Sequence, residues 1–258
     1  MFTRPLANPL SIIMVVASAS STTAPAISYA KPIAWGLLVA LAGVGPWILF
    51  ARLNATIRPD LPWAALATAV YLAALLSWLN GFGPPGASAG MRRDLLNLWP
   101  TDAKSRPNID GLSIGAMVAL LAGLYAAWIV VGWTTPIPDL TVYSTSSYRW
   151  SMFLMGPVTA GVVEEAAFRG YMQRGLERVD PANALWITSL VFVAAHITHG
   201  LGAVVLLGPG LFAVSMLYGA LARRIGSIVP GMVIHTLGDM AYMYFGVLRG
   251  DGSLLFVQ

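Results

Sequence analysis

Long apolar runs, separated by short polar segments, make up most of this chain. Seven runs have about the 20 residues that a helix needs to cross a bilayer. They lie at about Ile33–Phe50, Leu61–Leu79, Gly111–Trp133, Trp150–Tyr171, Ala182–His199, Ala203–Ala222 and Ile228–Leu248. Tryptophans near several run ends are typical of a membrane interface: Trp35, Trp78, Trp133 and Trp150. The pattern predicts an all-α fold, a polytopic membrane helix bundle with seven to eight transmembrane helices.

The eighth candidate is a weaker apolar stretch, about Leu6–Ala19, which follows Arg4 and precedes the small-residue segment ASASSTTAPA. Such a stretch fits a cleaved signal peptide, a first helix or an interfacial segment, and we expect that it is retained. The longest polar segment is about Asn80–Asp110. Its Gly/Pro-rich loop is followed by MRRDLLNLWP, which we expect to lie in the membrane surface as a short amphipathic helix.

Composition favours a membrane protein over a soluble one with a large core. Of 258 residues, 57% are hydrophobic and only 10% are charged, whereas soluble domains carry about 25% charged residues. The chain has no cysteine, which excludes a disulfide framework and a cysteine nucleophile. The formal net charge of +4 is ordinary for a membrane protein with basic loops, and nothing indicates a nucleic-acid partner.

Basic residues divide unequally between the two sides of the membrane if the seven runs all cross it. One side holds Lys31, Arg92, Arg93, Lys104, Arg106, Arg174, Arg178, Arg223 and Arg224. The other side holds Arg52, Arg58, Arg149 and Arg249. Because basic loops stay in the cytoplasm, the first side is predicted to be cytoplasmic. We therefore expect a multi-pass protein of the cytoplasmic (inner) membrane.

Six acidic or histidine side chains lie in or at the predicted spans of the last hundred residues: Glu164, Glu165, His196, His199, His235 and Asp239. Such groups are costly within a membrane and usually mark functional sites. Their concentration in one part of the chain predicts a catalytic or ion-handling site. His199 stands at a helix end beside Gly200, and there we expect a solvent-facing or capping residue.

Helical spacing sorts these groups onto faces. Glu165 and Arg169 are four residues apart, with the glutamate first, which favours an ion pair. Glu164 points about 100° away from Glu165, so it is expected to stay free and face a cavity. Taken singly, the ion pair has a purely structural explanation as well.

The other two pairs follow the same spacing. Phe192 and His196 share one face, and His235 and Asp239 share another, where Gly238 allows close backbone approach. Each histidine alone is explained equally well as a hydrogen-bonded core residue, and Asp239 as the partner of His235. Together, carboxylates and imidazoles from three helices can activate a water, bind a metal, or do both.

Signatures of several other proteases are missing from the sequence. His196 is followed by Ile197, so no H-E-x-x-H zinc motif is present. Only one aspartate lies within a predicted span, which gives no support to a two-aspartate mechanism.

Three motifs, EEAAFR (Glu164–Arg169), FVAAH (Phe192–His196) and HTLGD (His235–Asp239), lie in this order on three of the predicted spans. With them the sequence resembles the CPBP family of intramembrane proteases, also called type II CAAX prenyl endopeptidase-like or Abi proteins. The resemblance covers about Trp150–Leu248. It divides one integral membrane domain into N-terminal helices with the amphipathic loop (1–149) and a catalytic CPBP-like helical core (150–248).

The resemblance implies an intramembrane endopeptidase, a hydrolase that cleaves a peptide or membrane protein, with prenylated CAAX-type substrates as the best-known class. Glu164 with His196 would activate the attacking water, and His235 with Asp239 would stabilise the oxyanion. Glu165, Arg169 and Phe192 would support the site.

Two mechanisms stay open for this resemblance. Glu164, His196, His235 and Asp239 have donor atoms suited to a divalent metal such as zinc, which would make the chain a metalloprotease. A glutamate-driven mechanism without an obligatory metal is the alternative. The anionic Asp239, where the family also has asparagine, favours the metal slightly.

Two other functions use the same residues. One is a non-catalytic membrane scaffold or immunity protein of the same fold, and the other is a proton-coupled transporter. One feature fits the protease poorly, because Glu164 and His235 are predicted nearer the basic side and His196 nearer the opposite side.

Overall fold

Helices make up all of the regular structure in the described part of the chain. The computed structural model describes residues 28–56, 69–70, 72–73, 111–134, 153, 156–199 and 201–247. The α-helices are α1 (Ala30–Thr56), α2 (Gly111–Thr134), α3 (Gly156–Glu164), α4 (Arg174–Glu177), α5 (Ala184–Ala195), α6 (Leu201–Ile225) and α7 (Val229–Ala241). Two π-helical segments, Glu165–Gln173 and Tyr242–Val247, and a 3₁₀ segment, His196–His199, continue three of them. The all-α prediction is confirmed for these residues.

Six of the seven predicted spans meet a helix of the structure, with ends that differ by a few residues. Two helices extend six residues beyond the predicted end: α1 continues from Phe50 to Thr56, and the helix of Trp150–Tyr171 continues from Tyr171 to Glu177. The apolar run stops there while the helix goes on, since its polar last turns are paired within the bundle. The predictions for Leu6–Ala19 and Asn80–Asp110, and most of Leu61–Leu79, lie outside the described residues.

Two described helices are long and apolar enough to cross a membrane, Gly111–Val131 in α2 and Val204–Ile225 in α6. Only 11% of the α2 window is buried within the described structure. Its outer face carries Leu120 and Val130, which are more than half exposed. A bare apolar face suits lipid and would be unfavourable in water. The predicted count of seven to eight spans stays a prediction.

The π-helical segment Glu165–Gln173 lies at the centre of the bundle. Phe168 and Met172 of this segment pack with Phe192 of α5 and Leu211 of α6 in the main apolar cluster. Helix α1 covers the segment at Gly36, where an added Cβ would lie 2.7 Å from the Met172 side chain.

Helices α3 and α7 pack equally closely, and this contact brings two of the motifs together. A Cβ added to Gly161 would lie 2.9 Å from both the carbonyl oxygen of Met232 and the amide nitrogen of Thr236. Small residues allow such backbone approach between membrane helices. The contact sets His235 against the start of the π-helical segment.

Several helix ends meet at one end of the bundle. The Tyr29 hydroxyl, just before α1, donates to Asp180 Oδ2 at 2.7 Å. Arg223 Nε, at the end of α6, donates to Glu177 Oε1 at 2.6 Å. Five residues assigned to the basic side lie in these meeting segments: Lys31, Arg174, Arg178, Arg223 and Arg224. The described helices therefore agree with one basic end.

The depth of His196, which fitted poorly in the sequence, is explained by where the helix of Glu165 ends. That helix continues past the predicted end at Tyr171, so Glu165 lies 12 residues before its last residue, Glu177. His196 likewise lies 12 residues after Ala184, where α5 begins. The two residues are therefore equally far along their helices from the loop that joins α4 to α5, and the predicted difference in depth arose because the Glu165 helix was ended too early.

Candidate active site

A buried arginine forms the base of the candidate site. Arg169 Nη1 lies 3.3 Å from Glu165 Oε1, and both side chains are fully buried. Its Nη2 donates to the Ser215 carbonyl oxygen of α6 at 3.3 Å. The guanidinium carbon lies 4.8 Å from the ring centre of Phe192 and 5.4 Å from that of Tyr218. The ion pair, the carbonyl and the two aromatic rings together hold a cation that would be costly alone.

His235 of α7 lies between the carboxylates of the first motif. Its Nδ1 is 3.1 Å from Glu165 Oε1, and because a carboxylate accepts, Nδ1–H is the donor. Its Nε2 lies 3.9 Å from Glu164 Oε2 and 3.5 Å from Asp239 Oδ2. The Tyr218 ring stacks on the imidazole, with centroids 5.1 Å apart and planes at 18°. The imidazole is therefore fixed, with Nδ1 facing Glu165 and Nε2 facing the other two carboxylates.

The two adjacent glutamates have different surroundings, as their spacing predicts. Glu165 is fully buried and shared between Arg169 and His235. The Glu164 side chain keeps 18% exposure and lies next to His235 Nε2. Of the two glutamates, Glu164 is therefore the one that a small molecule can reach.

Asp239 brings in a residue that the sequence motifs do not contain. The Tyr125 hydroxyl donates to Asp239 Oδ1 at 3.0 Å and lies 3.2 Å from the Tyr218 hydroxyl. Tyr125 belongs to α2, and a Cβ added to Gly238 would clash with its ring. The close backbone approach predicted at Gly238 therefore serves to admit a tyrosine.

Tyr125 and Tyr218 were missed because neutral tyrosines in apolar spans carry no signal of their own. The sequence signal for this contact is the small residue Gly238, which indicates a close approach but not which residue approaches. Tyr125 and Asp239 are 114 residues apart, so no helical period connects them.

His196 reaches the site through Phe192. Its Nδ1 lies 2.8 Å from the Phe192 carbonyl oxygen, so Nδ1 carries the proton and Nε2 holds the lone pair of the neutral ring. The Phe192 ring lies 4.6 Å from the His196 ring and packs edge-on against Phe168 at 5.0 Å. The same ring contacts Arg169. Phe192 thereby links the second motif to the first. His199 ends the 3₁₀ segment, and its side chain lies outside the description.

Two carboxylates lie near one nitrogen of the predicted metal-binding set. Glu164 and Asp239 are both within 4 Å of His235 Nε2. Among the residues that the structure describes, however, no three His, Asp or Glu side chains converge as ligands of one ion. The metal requirement stays a prediction, and the roles of the residues are derived below without a metal.

The comparisons with known proteins bear on this segment. Residues 146–241 match the family model of the type II CAAX prenyl endopeptidase Rce1-like proteins. This segment of the chain is similar to that family. The Rce1-like segment contains all three motifs, so the resemblance to CPBP proteases is confirmed where the motifs lie. A match to this family favours a hydrolase that acts on a peptide. Comparison with curated proteins and with solved structures gave no match. Tyr125 lies outside the Rce1-like segment.

Proposed function

We propose that this chain is an intramembrane endopeptidase that hydrolyses a peptide bond near the membrane interface, with prenylated CAAX-type C-termini as the first substrate class to test. The observation that carries the proposal is the fixed imidazole of His235, with buried Glu165 on one nitrogen and accessible Glu164 facing the other. A purely structural ion pair between Glu165 and Arg169 would not require Glu164 or His235 beside it.

Glu164 is the general base of the proposed reaction. A water beside its Oε2 gives up a proton to the carboxylate as the oxygen attacks the scissile carbonyl carbon. Arg169 neutralises Glu165 and thereby limits the repulsion between neighbouring carboxylates. His196, with Nε2 as its lone-pair nitrogen, is suited to hold the same water from the end of α5.

His235 supplies the positive charge for the oxyanion. With Nδ1–H directed at Glu165, a proton on Nε2 makes the ring cationic and gives a donor towards the developing negative oxygen. Asp239, held by the Tyr125 hydroxyl, keeps that donor aligned. Glu164 then returns its proton to the leaving amine, so the reaction is balanced by one water.

Burial of the site within the apolar bundle matches a substrate that is itself partly lipid. The outer faces of α2 and α6 present apolar side chains such as Leu120, Val205 and Leu206. A prenylated peptide would bury its isoprenoid tail in the surrounding bilayer and present its peptide to the polar site. Metal dependence remains a separate prediction for this function.

The test uses the full chain, purified in mild detergent, with a panel of fluorogenic CAAX-type peptides, prenylated and not. Wild type is compared with Glu164→Gln, which keeps the size of the side chain and removes the base. Asp180→Asn, a carboxylate-to-amide change in the loop after α4, is the matched control. Metal content is measured on the same samples.

We expect cleavage by wild type and by the control, and a loss of at least about a hundredfold in Glu164→Gln, since a positioned base contributes 10²–10⁴-fold. Equal cleavage by all three proteins would refute the role of Glu164. Peptide binding without cleavage by wild type would instead support the scaffold function.

A further inference from the structure

Tyr218 of α6 contacts both halves of the candidate site, although it belongs to none of the three motifs. Its side chain is fully buried and lies in an apolar cluster with Leu121, Tyr125 and Val214. Its ring stacks on the His235 imidazole, with centroids 5.1 Å apart and planes at 18°. Its hydroxyl lies 3.2 Å from the Tyr125 hydroxyl. Packing alone explains a ring at this position, but it does not explain a buried hydroxyl, which is costly unless it is hydrogen-bonded.

The two tyrosine hydroxyls form a directed chain of hydrogen bonds that ends on Asp239. Tyr125 donates its single hydroxyl proton to Asp239 Oδ1 at 3.0 Å, because an ionised carboxylate only accepts. The Tyr125 oxygen is then the acceptor of the 3.2 Å bond, and the Tyr218 hydroxyl is its donor. A donor on its oxygen polarises the Tyr125 hydroxyl and strengthens the bond that this hydroxyl donates. Tyr218 thus acts on Asp239 through Tyr125.

The ring of Tyr218 acts on His235, the neighbour of Asp239. The two nitrogens of the imidazole lie 3.1 Å from Glu165 and 3.5 Å from Asp239. Two contacts in the plane of the ring leave it free to tilt about the line that joins the nitrogens, and such a tilt changes the direction of the Nε2–H bond. A nearly parallel aromatic ring against one face of the imidazole opposes the tilt. The Tyr218 ring therefore sets the plane of the imidazole.

We propose that Tyr218 is a positioning residue of the active site, which fixes the plane of His235 with its ring and aligns Asp239 through the Tyr125 hydroxyl. For its effect on rate this proposal rests on the proposed peptidase function, in which His235 and Asp239 stabilise the oxyanion. Tyr218 works through these residues and needs no contact with the substrate. Its loss should therefore lower kcat and leave KM nearly unchanged.

Two substitutions separate the ring from the hydroxyl. Tyr218→Phe keeps the ring and removes the donor to Tyr125, whereas Tyr218→Leu removes both. Tyr242→Phe is the matched control, because Tyr242 packs at the edge of the same apolar cluster and its hydroxyl is not part of the chain to Asp239. Each variant of the full chain, in mild detergent, is assayed for kcat and KM with the CAAX-type peptides, and its folding is measured by SDS unfolding.

We expect Tyr218→Phe to lower kcat about threefold, as for one hydrogen bond within a membrane protein. Tyr218→Leu should lower kcat at least about tenfold, because the stacking is lost as well, and Tyr242→Phe should change it by less than about twofold. In the Tyr125→Phe background, Tyr218→Phe should have no further effect on kcat, because its hydroxyl acts only through Tyr125. A raised KM with unchanged kcat, or independent effects of the two phenylalanine variants, would overturn the proposal.

A measurement without substrate separates this proposal from the peptidase function. The chain has three histidines, so labelling histidine alone with an NMR-active nitrogen isotope gives few ring N–H signals, and the variant His235→Gln identifies the signal of His235. We expect its Nδ1–H, bonded to Glu165, to give a downfield, slowly exchanging signal in wild type and Tyr218→Phe, and a broadened or missing signal in Tyr218→Leu.

This pattern in a wild type that cleaves no peptide would support the positioning role while the peptidase function fails. An unchanged signal in Tyr218→Leu would overturn the role of the ring, whatever the activity. The dependence of Tyr218→Phe on Tyr125, in kcat and in SDS unfolding, decides the proposal even if Tyr218→Leu does not fold.

Discussion

Replacing Arg169 by methionine tests the buried ion pair on which the candidate site rests. Methionine keeps much of the length of the side chain, so little is added for a cavity. The change removes the partner of Glu165 at 3.3 Å, the donor to the Ser215 carbonyl, and the cation over the Phe192 and Tyr218 rings. Glu165 then keeps only part of its compensation, from His235.

The expected loss in the free energy of unfolding is about 3–5 kcal/mol, the range for breaking a buried pair from one side. The matched control is Arg223→Gln, which breaks the Arg223–Glu177 pair of the same helix pair. Those side chains are 34% and 21% exposed, so the cost should be at most about 1 kcal/mol. Adding Glu165→Gln to Arg169→Met should recover part of the loss, because no uncompensated charge remains.

The assay is reversible unfolding of the full chain in mixed micelles with increasing SDS, followed by the fluorescence of its nine tryptophans. The reasoning fails if Arg169→Met costs no more than Arg223→Gln. It also fails if the effects on the free energy of unfolding are additive, so that Glu165→Gln costs as much in the Arg169→Met background as it does in the wild type. Additivity would mean that the two residues do not interact energetically.

Three further predictions concern packing, the α2 contribution and pH. Gly161→Ala puts a Cβ 2.9 Å from a backbone carbonyl oxygen of α7 and should lower the free energy of unfolding by about 2 kcal/mol. The control Gly123→Ala, with no described atom within 4 Å of the added Cβ, should raise the free energy of unfolding by up to about 1 kcal/mol. Equal shifts of the two variants in SDS unfolding would contradict the close contact between α3 and α7. Tyr125→Phe should lower peptidase kcat about tenfold, as expected for the loss of one hydrogen bond to a charged group, while KM and the free energy of unfolding change little. An unaltered kcat would show that Tyr125, and with it α2, does not contribute to the active site. Hydrogen bonds hold the pKa of Asp180 below its usual value, and the bond from the Asn183 side chain has the largest effect. The Asp180 carboxylate therefore stabilises the fold above about pH 4, and this stabilisation is lost as the pH falls through the folded-state pKa. Asn183→Ala should therefore lower Tm above about pH 4 and make the fall of Tm on acidification smaller, and unchanged Tm-against-pH curves would show that the contact has no energetic weight.

Much of the fold could be predicted because apolar length and helical period are local properties. The run Gly111–Trp133 became α2, Gly111–Thr134, and Ala203–Ala222 became the centre of α6, Leu201–Ile225. Ends were less certain where polar residues continue a helix. At Tyr171 the apolar run stops, yet the helix continues to Glu177, because partners on α6 satisfy its polar side chains.

The sequence by itself determined the helical motifs and the pairing of Glu165 with Arg169, because four residues make about one helical turn and place both side chains on one face. Only the tertiary structure decided that His235 also binds Glu165 and that Tyr125 holds Asp239. Those contacts join different helices, and the faces that meet are set by packing at small residues, as Gly238 against the Tyr125 ring illustrates. The period of a single helix carries no information about which neighbour it will meet.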